Sequence, residues 1–411
     1  MNDATTGYRE ACADLILRGA LGILEGQILW IRTEPFHRPF AGMLAKRAYE
    51  LGARYVQLLL EDPVLERLRV DCSVKAEFLE YVPEYTVNML DTVVRENWRT
   101  LSLRGPENPD LMEGADPGAL GRMQKARSEA SQGFMKAISS NRIPWNVFLM
   151  PTPDWAAKVL GSPENWEEEI WKVLAPILRL DTADPVEAWN AHDLRLKKRA
   201  SFMNENRFDG IRFRGPGTDL FIGMESNRLF LGGSGEAQDG TRFFPNIPTE
   251  EIFSTPHMNR TEGRVACTRP VTVLGAQVED AWFVFKGGVA LEFGAGKNGA
   301  ILEKFMDTDQ GASRLGEVAL VGIDSPLYRS GRVFHNILLD ENASCHIALG
   351  NGYTDCIQNG TEMDENGLSD TGCNVSLVHT DFMIGSSEVS VFGVTESGEE
   401  IPVMENGLFV I

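Results

Sequence analysis

The chain has 411 residues, 43% of them hydrophobic, with 39 basic against 59 acidic side chains and a formal net charge of −20. That acidity argues against a nucleic-acid or anionic-membrane partner, and no run approaches the roughly 18 apolar residues of a membrane span. The length suits two or three domains with substantial cores, and the first residues lack the basic and apolar regions of a secretory signal, so a cytoplasmic protein is expected.

Helix-like and strand-like runs alternate through the first part of the chain. Residues 11–24 show helical periodicity, 26–31 form a short apolar strand, and a helix over 40–51 stops at Gly52. A strand at 55–60 follows. A helix over 77–97 precedes a strand at 100–103, and a helix over 120–139 leads into a strand at 145–150. This alternation predicts βαβ units and a mostly parallel sheet. Pro151-Thr152-Pro153 opens a helical region with amphipathic helices over 165–178 and 185–204. The basic run at 195–199 on the second helix reads as a solvated face.

Beyond Asn206 the texture changes to short strands and Gly-rich turns, among them 211–214, 220–223 and 229–232. The expected organisation is an N-terminal α/β domain with a mostly parallel sheet over 1–185, then an α+β, strand-rich domain over 186–411. The six cysteines are widely spaced, with no CxxC pair, and read as reduced thiols. Gly294-Ala295-Gly296-Lys297-Asn298 lacks the upstream Gly and the Ser/Thr of a phosphate loop. Neither HExxH nor GxSxG occurs.

The residues that carry chemistry fall late in the chain. Two of only six histidines lie close to acids: His346 five positions after Glu341, and His379 two before Asp381. Imidazole and carboxylate together suit a divalent ion of the zinc, cobalt or manganese type. On a strand over 376–384, His379, Asp381 and Met383 share one face, so the pair can reach one ion or two adjacent ones. The spacing of Glu341 and His346 fits no single helix face; it predicts a turn, with His346 near the start of an element. Cys345 reads as small buried filler. Glu250-Glu251 after Pro248, and Glu317 at the mouth of the apolar strand 315–321, are further candidates. A charge at the edge of a buried strand is costly unless paired or coordinated. By themselves these acids read more readily as helix N-terminal acids, for Glu250 and Glu251, and as a surface ion pair, for Glu317.

Five blocks occur in order: Arg214-Gly215-Pro216-Gly217-Thr218-Asp219-Leu220, Asn246-Ile247-Pro248-Thr249-Glu250-Glu251, Arg314-Leu315-Gly316-Glu317-Val318-Ala319, Asp340-Glu341-Asn342-Ala343-Ser344-Cys345-His346 and His379-Thr380-Asp381-Phe382-Met383. Together they resemble the thermophilic-type metalloaminopeptidases, the aminopeptidase T family, over essentially the whole chain. The resemblance implies an N-terminal α/β domain, a C-terminal catalytic domain and a homodimer that encloses its active sites. It implies two divalent ions (zinc, cobalt, manganese or magnesium) held by Glu251, Glu317, Glu341, His346, His379 and Asp381, with Tyr353 as a catalytic residue. The expected reaction is hydrolysis of the N-terminal bond of peptides with a free α-amine. Glu317 or Asp381 would bridge the ions; Glu251 or Glu341 would carry the proton to the leaving amine. Asp340, Cys345 and Thr380 receive no chemical role, and His257 and His335 are expected to be supporting or structural. The competing reading is a mononuclear iron oxygenase using His346, His379 and Asp381 as a facial triad; the extra carboxylates count against it.

Overall fold

The computed structural model describes residues 3–411, and the chain divides into two compact units. One is Met1–Asn190 with Ser234–Ile247; the other is Ala191–Gly233 with Pro248–Ile411.

The first unit carries the expected parallel sheet. Strands β1 (Ile28–Thr33), β2 (Tyr55–Leu60), β3 (Arg99–Arg104) and β4 (Trp145–Leu149) lie in the order β2-β1-β3-β4, and the short strand Asn246–Ile247 adds beyond β4. Every pairing is parallel, because a helix returns the chain between successive strands. Asp116 starts the helix Pro117–Ser139 by accepting from the Gly118 and Ala119 amides, with Pro117 in the first turn. Leu29, Trp30 and Ile31 of β1 are buried, as the strand's apolar run predicts.

Two expectations need correction here. The helix expected over 77–97 is broken into a 3-10 turn, Ala76–Glu80, and a helix, Glu84–Arg95. Pro83 separates them, because it lacks an N–H and disfavours helical geometry at Val82. The helix expected over 11–24 begins earlier, at Asp3, and ends as the π-helical stretch Leu15–Ala20.

The second unit is antiparallel. An eight-stranded sheet runs in the order Val289–Gly294, Trp282–Lys286, Thr261–Ala266, Thr218–Gly223, Gly210–Gly215, Ser390–Val394, Glu400–Glu405, Leu408–Phe409. A smaller sheet joins β5 (Glu251–Ser254), β6 (Leu315–Val321), β7 (His346–Gly350) and β8 (His379–Met383) in sequence order. One face of this sheet, with Ile252, Val318, Leu320, Ile347, Leu349 and Phe382, enters the main apolar cluster of the unit. Phe382 meets Phe283 edge-on with ring centroids 4.9 Å apart. Burial of each such side chain contributes about 1.5–3 kcal/mol, so this face holds the sheet in place without help from its other face. The run 229–232 forms only an isolated bridge, Leu231 to Phe253, rather than a strand. β8 starts at His379 rather than 376, because Asp309 holds the Ser376 hydroxyl and the Leu377 amide away from the ladder.

Candidate metal centre

All the sequence candidates from strands emerge on the second face of the small sheet. Residues alternate across a strand; on β6, Val318 and Leu320 enter the core while Glu317 and Ala319 face the other way. The register sets Glu317 opposite Ala348, Ala348 opposite Asp381, His346 opposite Ala319, and His379 opposite Gly350. Glu251 begins β5, beside Val321. The ligand-type side chains therefore stand around a floor of small residues: Ala319, Ala348 and Gly350.

Two glycines make this register possible. A β-bulge interrupts the β6–β7 ladder between Leu315 and Glu317, and it re-aims the side chain that follows. Gly316 sits in the bulge, where a Cβ would lie 2.2 Å from the Asn351 carbonyl oxygen. Gly350 has φ +112, and its Cβ would lie 2.0 Å from the Val378 carbonyl oxygen. Neither position accepts another residue without moving a ligand-bearing strand.

Each imidazole is oriented from behind. His346 Nδ1 lies 3.2 Å from the Ser344 carbonyl oxygen and His379 Nδ1 2.7 Å from that of Asn351. A ring whose Nδ1–H donates to the backbone presents Nε2 as its free nitrogen, the orientation common to metal-binding histidines. His346 Nε2 lies 3.3 Å from Glu251 Oε2 and 3.9 Å from Glu317 Oε1. His379 Nε2 lies 3.2 Å from Glu317 Oε2 and 3.3 Å from Asp381 Oδ1. Two donor groups result: Glu251, Glu317 and His346, and Glu317, His379 and Asp381. Glu317 belongs to both, one oxygen toward each histidine. His346, His379 and Asp381 do not form a group of their own, which leaves the facial-triad alternative without its geometry.

The electrostatics fit a cation. Glu251 Oε2 and Asp381 Oδ1 are buried and accept no hydrogen bond. Burial pushes Glu251 up to about 8, and the charges of Glu317 and Asp381 add to the shift against the pull of His346. Glu341 is raised well above the usual carboxylate range by burial and then by Glu251, Asp381 and Glu317. His379 is raised as well, but by the opposite cause: against its own burial, Asp381 and Glu317 push it up to about 11. Four carboxylates against two imidazoles cannot all ionise cheaply in one buried site. A divalent cation held there would relieve that repulsion and satisfy the orphaned oxygens.

Glu341 stands in the turn Glu341–Ala343, just before β7, so the expected turn is present and His346 is the first residue of its strand. Its carboxylate lies outside the two groups of closely spaced donors. Asn342, fully buried, ties this turn to the start of β5. It accepts from the Glu250 amide at 2.7 Å and donates to Glu341 Oε1 at 3.4 Å. Tyr353 is 39% exposed. Its ring packs against Phe253 and His379, with centroids 5.4 and 5.0 Å away. Its hydroxyl lies 3.3 Å from His379 Nε2.

The residues without an expected chemical role stay outside the centre. Asp340 accepts from the Phe334 and Asn336 amides and closes the short helix Ile337–Asp340. Cys345 is buried filler, its thiol pushed up to about 12 by burial. His257 packs over Gly372. Sequence reasoning passed over Phe253 and Asn342. The alternation of 251 and 253 would have pointed to Phe253, had 251–254 been read as a strand; nothing local marks Asn342.

The family model described as thermophilic metalloprotease (M29) matches residues 9–409. Aminopeptidase T of Thermus aquaticus is 38% identical over 412 residues, covering 100% of both chains. Aminopeptidase 2 of Geobacillus stearothermophilus is 34% identical over 397 residues, 96% of each. Among solved structures, wild-type AmpT from Thermus thermophilus is similar with a TM-score of 0.90 at 34% identity, covering 99% of this chain and 100% of that one.

Proposed function

The chain belongs to the thermophilic metalloprotease family and is a metal-dependent aminopeptidase; from that premise we propose that it removes the N-terminal residue of peptides with a free α-amine at a centre of two divalent ions. Zinc, cobalt, manganese and magnesium are the candidate metals. The observation that carries the two-ion reading is the position of Glu317 in both donor groups.

We assign Glu251, Glu317 and His346 to one ion, with Glu341 joining from the adjacent turn, and Glu317, His379 and Asp381 to the other. Glu317 would then be the residue shared between them, whereas Asp381 belongs to one group only. Bound there, the ions would polarise the scissile carbonyl and acidify a water. The side chains of the chain do the rest. The Ser344 and Asn351 carbonyls hold the two imidazoles in orientation. Burial of its hydroxyl, reinforced by Glu317 and Asp381, raises the Tyr353 phenol well above its ordinary value. It therefore keeps its proton and can donate it in a hydrogen bond to the developing oxyanion.

The test is exhaustive chelation followed by reconstitution with each candidate metal, assayed on one peptide with a free and with an acetylated N-terminus. Hydrolysis of the free peptide is expected to vanish on chelation and to return with metal, while the acetylated peptide stays intact. Undiminished activity in metal-free protein, or equal rates on both peptides, overturns the reading.

We also propose a homodimer. β2 is the edge of the parallel sheet, and the segment that follows it leaves Leu65 63%, Tyr81 67% and Tyr85 75% exposed. An unpaired edge beside such apolar side chains is a surface that proteins cover, and a second copy of the chain is the occupant that the resemblance implies. Sedimentation should show a dimer, and Leu65→Glu with Tyr85→Glu should shift it to monomer. A wild-type monomer at micromolar concentration, or a dimer indifferent to both charges, removes this face from consideration. All six cysteines are free thiols, which supports a reducing, cytoplasmic setting. Among the described residues no helix is long and apolar enough to cross a membrane, and the charge of −20 supports a partner list without nucleic acid.

A further inference from the structure

We propose that Thr255 is a positioning residue that sets the catalytic reach of Tyr353; the inference rests on the role given to Tyr353 above. Thr255 lies one residue past β5 and is fully buried. Its hydroxyl makes two hydrogen bonds to one partner. It accepts from the Tyr353 amide at 2.8 Å and donates to the Tyr353 carbonyl at 2.9 Å. A single oxygen therefore holds both polar backbone groups of the same residue, which fixes the position and the tilt of its Cα.

The residue before Tyr353 lies close to the same threonine, while its amide donates to the Asn374 carbonyl at 2.8 Å. A Cβ on Gly352 would come within 3.0 Å of Thr255 Cγ2, so the glycine lets the two segments close up. Past the clamp, the phenol is bracketed by Phe253 on one side and His379 on the other. Positions 251, 253 and 255 thus supply in turn a metal-ligand carboxylate, the wall of the tyrosine ring and the clamp on the tyrosine backbone. One extended segment locates the hydroxyl 3.3 Å from His379 Nε2. No other side chain hydrogen-bonds the Tyr353 backbone among the described residues; without the Thr255 hydroxyl its amide loses its partner and its carbonyl keeps only the longer bond from the Cys356 amide, 3.3 Å, which loosens its position. A displacement of about 1 Å in a group of this kind can cost on the order of 10²-fold in rate.

The experiment is a double-mutant cycle in the metal-loaded full-length enzyme. Thr255→Val keeps the shape and removes both bonds; Thr255→Ser keeps the hydroxyl. Thr255→Val is expected to lower kcat roughly 10- to 100-fold, with KM and metal per chain unchanged. Thr255→Ser is expected to stay within about threefold of wild type. On a Tyr353→Phe background, where there is no hydroxyl to misplace, Thr255→Val is expected to cost nothing further. Should the valine variant fail to fold, Thr255→Ala is read by the same ratio. An equal loss on both backgrounds makes the threonine merely structural and overturns the proposal, as does a kcat within about threefold of wild type in Thr255→Val. If Tyr353→Phe is itself fully active, the role of the tyrosine falls first and the clamp's catalytic meaning falls with it; the two failures are told apart by that single variant.

Discussion

Glu317→Gln is expected to empty both metal positions, while Glu251→Gln and Asp381→Asn each weaken one. The reason is the sharing of one carboxylate: Glu317 Oε1 faces His346 and Oε2 faces His379, and no other residue belongs to both donor groups. The amide keeps the size and shape of the carboxylate but removes its charge and its ability to bridge. The His379 group then keeps only one carboxylate and one imidazole, and the His346 group keeps Glu251 with Glu341 from the adjacent turn; both lose the one carboxylate that would tie the two ions together, and occupancy should fall at both. Peptide hydrolysis should fall below detection, and metal analysis of the purified variant should show neither ion. The fold should survive, because the opposite face of β6 carries the core contacts through Val318 and Leu320; circular dichroism checks this. Metal content in Glu317→Gln equal to that of Asp381→Asn would sink the bridge and leave two independent sites.

Tyr353→Phe should leave the ions in place and remove the rate. The ring is retained, so its packing against Phe253 and His379 persists; only the hydroxyl 3.3 Å from His379 Nε2 is lost. Loss of one oxyanion donor costs about 10²–10³ in kcat, or about 2.7–4 kcal/mol. KM should change little, since that bond strengthens only as charge develops. A fall of less than a few-fold would assign the tyrosine to packing. The partial exposure of the residue makes the substitution a clean probe, because a side chain outside the core contributes little to stability.

The alternation of runs in the first part of the chain determined a parallel sheet by itself, because strands joined by helical crossovers have no other regular way to pair. Periodicity of two put His379 and Asp381 on one strand face, and the five-residue gap from Glu341 to His346 required a turn. These are local consequences of backbone geometry, and local residues suffice to read them. Pro83 is legible too, as a break in a helix, although the apolar periodicity runs across it.

The centre itself was not legible from spacing. Glu251, Glu317, His346 and His379 lie tens of residues apart, and only the antiparallel register of β5 to β8 brings them to one face. That register depends on a bulge at Gly316 and a left-handed turn at Gly350, whose necessity appears only when a neighbouring carbonyl occupies the space of a Cβ. The choice of Glu317 over Asp381 as the shared carboxylate was likewise open in the sequence. In the fold it is Glu317 that has one oxygen toward each histidine, a matter of tertiary placement that no local pattern encodes. Thr255 and Asn342 belong to the same class: each acts through a hydrogen bond to a segment far along the chain, and such a bond leaves no trace in the residues on either side of it.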